Sequence, residues 1–433
     1  MPVRNLQILV VVMLVCIACY VQAERLKYAG KLGSAIQKIK DNYVDEIDPE
    51  QLYMAAMRGM VSELDRFSEF IPPTKYAEFQ SVIEQQFGGL GILIEGPPAV
   101  PQLTVVTPLP GTPAFEAGLQ PGDIITRIGS DSTEGLQATE ATDRMRGPVG
   151  EPIELQVERA GEPQPLRFII RRADIQVDSV YGDHIRGDSN WDFLLEEDPR
   201  LAYIRITLFG ERTAAEFQDA LAAIRGRASG LILDLRFNPG GILPSAVQIC
   251  DMLLDGGTIV STRGRNQRYL MEFTADRQLE LPLDLPMVVL INDQSASAAE
   301  ILAACLQDTG RAAVAGQRSY GKGTVQQIFQ LENDQTALKF TTARFYRPNG
   351  QNIHREDDMG EQERWGVSPE AELQRSMSES EQLYLNLRWR RRGDPRWMAQ
   401  AEHPPAPPLA GDPQLKLAVE YLQRRLARGS HGN

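Results

Sequence analysis

Apolar and polar residues change their rhythm several times along the chain. An unbroken apolar run at 8–21 follows Arg4 near the start. From 27 to 84, including KLGSAIQKIKDNYVDEIDPEQLYMAAMRGMVSELD, apolar positions recur every three or four residues, which predicts helices. Asp48-Pro49-Glu50 supplies a helix start. At FGGLGILIEG, 87–96, glycines and β-branched residues replace that pattern, and short strands separated by Pro/Gly turns run on to about 172. Beyond Asp174 strands and helices alternate. LAYIRITLF, GLILDLRF and LPMVVLIN read as strands, while TAAEFQDALAAIRGRA, NPGGILPSAVQICDMLL and SASAAEILAACLQDTG read as helices, the last two opened by turns. This rhythm predicts an α/β core in layers. The expected division is a leader at 1–23, a helical module at 24–84, a strand-rich domain at 85–172, an α/β core at 173–375, and a Pro/Arg-rich linker with a C-terminal helix at 376–433.

Composition adds four constraints. The chain of 433 residues carries a net charge of −13, which excludes a general nucleic-acid binder, since phosphate contacts need a basic face. The basic stretch RWRRRGDPRW, 388–397, is expected to be a solvated linker. The leader has the order of an export signal, with small Ala23 at a cleavage point, so a periplasmic or other extracytoplasmic location is expected. Left uncut, the leader would tether the chain to a membrane. Cys16 and Cys19 fall inside it; Cys250 and Cys305 lie in apolar stretches and are expected as buried free thiols. Two cysteines and scattered histidines build no metal site, and no cofactor is expected.

The candidate chemistry centres on GQRSYGKGTVQ, 316–326. Gly316, Gly321 and Lys322 nearly match a P-loop, but Gly323 stands where a magnesium-binding hydroxyl is needed. Ser319 and Lys322 have the S-x-x-K spacing of penicillin-recognising enzymes, yet two glycines beside Lys322 oppose the helix that motif requires, and its companion motifs are absent. A serine at a sharp strand-to-helix turn is better placed for nucleophilic attack, because helix N-terminal amides stabilise a developing oxyanion. Ser297 and Ser295 both qualify on spacing. His184, His354, His403 and His431 lie outside glycine-rich turns and no G-x-S-x-G elbow exists, which leaves Lys322 as the base. Its pKa must fall from about 10.4 toward 7–8, so it needs a dry site, for which Tyr320, Val325, Ile328 and Phe329 offer apolar neighbours. Gln326 can orient the amine without adding negative charge. On a regular strand, however, Lys322 and Gln326 would stand about 13 Å apart, so a bend at Gly321 or Gly323 is expected. In the strand-rich domain, the loop Gly89, Leu90, Gly91 and Ile92 presents successive backbone N–H groups that can hold a peptide carboxylate while the peptide adds as an edge strand.

The strand-rich segment resembles a PDZ domain, most clearly at Pro121-Gly122-Asp123-Ile124-Ile125. The phrases FGGLGI, DLRFNPGG, SASAAE and GKGTVQ, in that order, resemble the carboxyl-terminal processing (tail-specific) proteases, Ser/Lys peptidases of S41 type. The resemblance implies a layered ββα-type core with an inserted PDZ domain and an N-terminal helical module. It assigns the nucleophile to the second serine of SAS, Ser297, and the base to Lys322, which follows 25 residues later. Gln326 becomes the third residue, and the oxyanion hole falls to the N–H groups of Ala298 and of Gly240 or Gly241. It further implies substrates with free C-termini, no metal or cofactor, and homodimers formed through the helical module. Phe237 departs from the family phrase, and 376–410 has no counterpart in it. The alternative is a peptide-binding scaffold with a PDZ domain and a silent catalytic core.

Overall fold

The computed structural model of the chain describes residues 3–186, 190–276, 279–331, 336–394 and 409–429. It divides into two units, one made of Met1–Tyr76 with Gln326–Thr341, the other of Ala77–Val325 with Thr342–Asn433.

The first unit contains the helix Val3–Asn42 and the helix Pro49–Ser62. Asp48 caps the second helix by accepting from the Glu50 amide at 2.9 Å, with Pro49 in the first turn, the arrangement expected from Asp-Pro-Glu. The expected run of helices is broken by the strand Glu69–Ile71, which pairs antiparallel with Ala337–Lys339. Met57, Val61 and Phe70 form the buried centre, with Tyr53 edge-on to Phe70. Among residues whose side chains are described, no helix is long and apolar enough to cross a membrane; much of 8–21 lies outside that set.

The second unit contains the strand-rich segment and the α/β core. The segment is an antiparallel sheet in the order Ile92–Glu95, Thr104–Pro108, Ile124–Ile128, Pro152–Glu158, Leu166–Arg171. Alternate residues Ile153, Leu155 and Val157 are buried, as a one-faced strand requires. Gln86–Gly89 pairs with Ala173–Gln176, so the segment begins and ends on one two-stranded ribbon.

In the core, four parallel strands lie in the order Asp198–Ile206, Gly230–Asp234, Met287–Ile291, Ala313–Gly316. Every residue of Gly230–Asp234 and Met287–Ile291 is buried, because the sheet is covered on both faces. Leu231 and Leu233 pack with the helices Thr213–Ile224, Leu243–Leu253 and Ala298–Asp308. Ile232, Val288 and Leu290 face the helix Pro413–Gly429 through Leu415, Ala418 and Leu422. Each such side chain contributes about 1.5–3 kcal/mol by leaving water.

The stretch beginning at Arg388 differs from the solvated linker expected of it. Glu379–Arg392 is a helix, and Arg388 and Arg392 are only 2 % exposed. They reach Asp183, Glu196 and Glu197. Arginines every four residues share one helix face, and an acidic hollow facing them can take their charge without water. Residues 395–397 of that stretch lie outside the described set. Cys250 and Cys305 are free and buried, as expected, and burial pushes the Cys250 thiol up.

Candidate active site

The two turns singled out in the sequence meet at the ends of neighbouring parallel strands. After Gly230–Asp234 the chain enters Asn238-Pro239-Gly240-Gly241, and after Met287–Ile291 it enters Ser295-Ala296-Ser297. Asn238 organises the first turn. Its amide nitrogen donates to Ile206 O, its Oδ1 accepts from the Gly240 amide at 2.8 Å, and its carbonyl accepts from the Ala296 amide at 2.9 Å. The last bond ties one turn to the other.

Ser297 caps the helix Ala298–Asp308 with φ +55°, a left-handed conformation uncommon for serine. Strain of this kind persists only where the surroundings enforce it, and it concentrates at active sites. Ser295 is fully buried, donates its hydroxyl to Leu235 O at 2.8 Å and accepts from the Asn292 amide. Its oxygen is therefore occupied in holding the turn, whereas Ser297 is half-buried at the surface of the site.

Gly240 explains why the first turn is glycine-rich. It lies at φ +100°, and a Cβ there would stand 2.7 Å from both Ala296 O and Ser297 Cβ and 3.0 Å from Ala298 N. Gly241, at φ +146°, would meet Phe209 O at 2.0 Å. The Gly240 N–H is committed to Asn238, while among the described residues the Gly241 N–H has no acceptor. Of the two glycines left open by the sequence, Gly241 carries the available amide.

Lys322 is half-buried and precedes the strand Thr324–Gln330. Gly321, at φ +86°, would clash with Arg355 Cβ and the Trp365 ring if it carried a side chain, and Gly323 would meet His354 N at 2.2 Å. The flanking glycines thus let the lysine turn press against 354–355 and Trp365. The dry surroundings expected from its apolar neighbours are only partly present: Val325 packs on the main core, but Tyr320, Ile328 and Phe329 are all at least 40 % exposed, Phe329 stacking on Phe340. Gln326 donates to Thr341 Oγ1 at 3.2 Å within the first unit.

The residue that sequence reasoning passed over is Glu300. It is fully buried and accepts four hydrogen bonds. Oε1 takes the Ser319 hydroxyl and the Gly321 amide, both at 2.6 Å; Oε2 takes the Ser297 and Lys322 amides, both at 2.8 Å. Burial pushes its carboxyl up, and the four donors, led by Ser319, pull it back. A glutamate three residues after a capping serine is a capping-box spacing, which was the available signal. Arg146 was also missed. It lines a groove with Gly89, Leu90, Gly91, Ile92 and Met145, where its guanidinium sits over the Phe87 ring. Among the described residues no group of three or more His, Cys, Asp or Glu is placed to hold a metal ion.

Comparison with known proteins bears on the chain as a whole. Residues 200–373 match peptidase family S41, and residues 104–159 match a PDZ domain. Over 332 residues the chain is 37% identical to a carboxy-terminal-processing protease of Bartonella bacilliformis, covering 76% of this chain and 73% of that protein. It is 36% identical to a carboxyl-terminal-processing protease of Synechocystis (71% of this chain, 69% of that one), and 32% identical to a Bacillus subtilis carboxy-terminal processing protease (75% and 66%). The buried parallel sheet, the two facing turns and these likenesses agree: the chain belongs to the carboxy-terminal processing proteases of peptidase family S41 and is a serine-type peptidase with a PDZ domain, acting on proteins or peptides.

Proposed function

We propose that Ser297 is the nucleophile and Lys322 the general base of this peptidase. Ser297 Oγ attacks the scissile carbonyl carbon, and its proton passes to the neutral Nζ of Lys322. The oxyanion accepts from the Ala298 and Gly241 amides, the helix N-terminus adding its favourable field. Protonated Lys322 then gives its proton to the leaving amine, and water, deprotonated by Lys322, hydrolyses the acyl-enzyme. The observation that carries this reading is the single Glu300 oxygen that holds the amides of both Ser297 and Lys322.

The groove beside Gly89, Leu90, Gly91 and Ile92 takes the free C-terminus of the substrate, with Arg146 close by. The organisation is a leader at 1–23, a helical module at 24–84 that pairs two chains as a homodimer, the PDZ domain at 85–172 and the protease core at 173–375. The protein works outside the cytoplasm, released or tethered by its leader according to whether that leader is cut.

Digestion of an unstructured protein by the full chain tests the assignment. Ser297→Ala and Lys322→Ala should each lower the rate by several orders of magnitude, and an active Ser297→Ala would refute it. A wild-type chain that neither cleaves nor takes a serine-directed label would instead be a binding scaffold. Amidating the C-terminus of a cleaved peptide should slow its turnover at low concentration; an equal rate would remove the role given to the 89–92 loop.

A further inference from the structure

Arg236 and Phe237 lead straight into the Asn238–Gly241 turn, and both are gripped by the C-terminal segment. The fully buried Arg236 guanidinium is shared between Asp234 and Asp412, with Asp412 accepting at 2.8 and 2.9 Å and Gln414 at 3.2 Å. Phe237 stands at φ +61°, a conformation a bulky side chain avoids unless held there. Its amide donates to Asn292 Oδ1 at 2.8 Å, and its ring meets Trp389 edge-on, centroids 5.9 Å apart.

Trp389 is itself fixed from several sides. Its indole N–H donates to the Tyr203 hydroxyl at 3.1 Å, which in turn donates to Asp234 Oδ2 at 2.7 Å. The Arg205 guanidinium lies 4.1 Å from its ring centroid. On the same helix, Arg388 and Arg392 are locked into the acidic hollow described above.

We infer that Trp389 is a positioning residue for peptide hydrolysis: through Phe237 it sets the height of the Gly240-Gly241 turn against Ser297 and Ala298. The inference rests on the oxyanion role proposed for Gly241. Gly240 packs so closely on Ser297 Cβ that a small movement of the turn displaces the donors from the developing oxyanion, and such misplacement costs rate steeply. Because the oxyanion contact strengthens only in the transition state, the loss should fall on kcat and leave KM nearly unchanged.

The test uses the full chain with a peptide substrate, measuring kcat, KM and thermal unfolding for W389A, W389F, F237L, the W389A/F237L double variant and S297A. W389A and F237L should each lower kcat by roughly 10- to 100-fold with KM within about twofold, the double variant should be little worse than either, and W389F should keep most of the activity. If thermal unfolding shows W389A to be unfolded, F237L on the other side of the same contact decides. A folded W389A or F237L with kcat within about twofold of wild type, or a loss carried by KM, overturns the inference. An inactive S297A beside a fully active W389A sinks this inference alone, whereas an active S297A sinks the proposed site as well.

Discussion

The backbone amides of Ser297 and Lys322 donate to the same carboxylate oxygen, Oε2 of Glu300, each at 2.8 Å. Nucleophile turn and lysine turn therefore share one buried anchor. Glu300→Gln would place an NH2 against two N–H or O–H donors whichever way the amide is turned. We expect it to cost about 3 kcal/mol in denaturant unfolding, since buried donors lose their acceptor. It should also lower kcat/KM by at least about 100-fold, because the two turns lose their common support. Steady-state kinetics near wild type would show that the anchor is dispensable.

Gly240→Ala tests the close approach of the two turns. The new methyl would stand 2.7 Å from Ser297 Cβ at a φ of +100°, so either the turn or the serine must shift. The expected outcome is a fall in kcat on the order of 100-fold, together with slower labelling of the serine by an acylating probe.

Two neighbouring arginines should behave oppositely. Arg392 is 2 % exposed and its loss leaves Asp183 buried with fewer partners, so Arg392→Ala should destabilise by about 3 kcal/mol. The Arg390 side chain is 50% exposed, and its nearest approach to Glu95 is 3.7 Å, so Arg390→Ala should change stability by less than about 0.5 kcal/mol. Equal effects in urea unfolding would contradict the buried network.

His184 makes stability depend on pH. Its hydrogen bond to Asp183 raises the imidazole pKa above the ordinary value of 6.5. The charged form is thus favoured in the folded state, and its contribution is complete below about pH 6.5 and disappears as pH rises through the folded value. Melting temperature should fall over that interval in the wild type and fall less in His184→Asn. Parallel profiles for the two proteins would rule the imidazole out as the source.

Much of this molecule was legible without coordinates. The runs GLIL and MVVLI are continuously apolar because a parallel sheet covered on both faces buries every position, and that alone predicts the layered core. The turns into Gly240-Gly241 and Ser297 were visible because helix starts and left-handed backbone need particular residues. Other features depended on partners distant in sequence. Ser295 and Ser297 are equivalent by spacing, and only burial reveals that the hydroxyl of Ser295 is committed to Leu235 O, 60 residues earlier. Gly240 and Gly241 are adjacent and equivalent by spacing, and only the structure reveals that Asn238 has taken the Gly240 amide. The arginines at 388 and 392 read as solvated because their charge is local information, whereas the acidic hollow that receives them, 205 residues away at Asp183 for Arg388, is not. Periodicity and turn chemistry are written in neighbouring residues, but the assignment of each buried donor, acceptor and charge is decided by which distant segments the packed core brings within 3 Å.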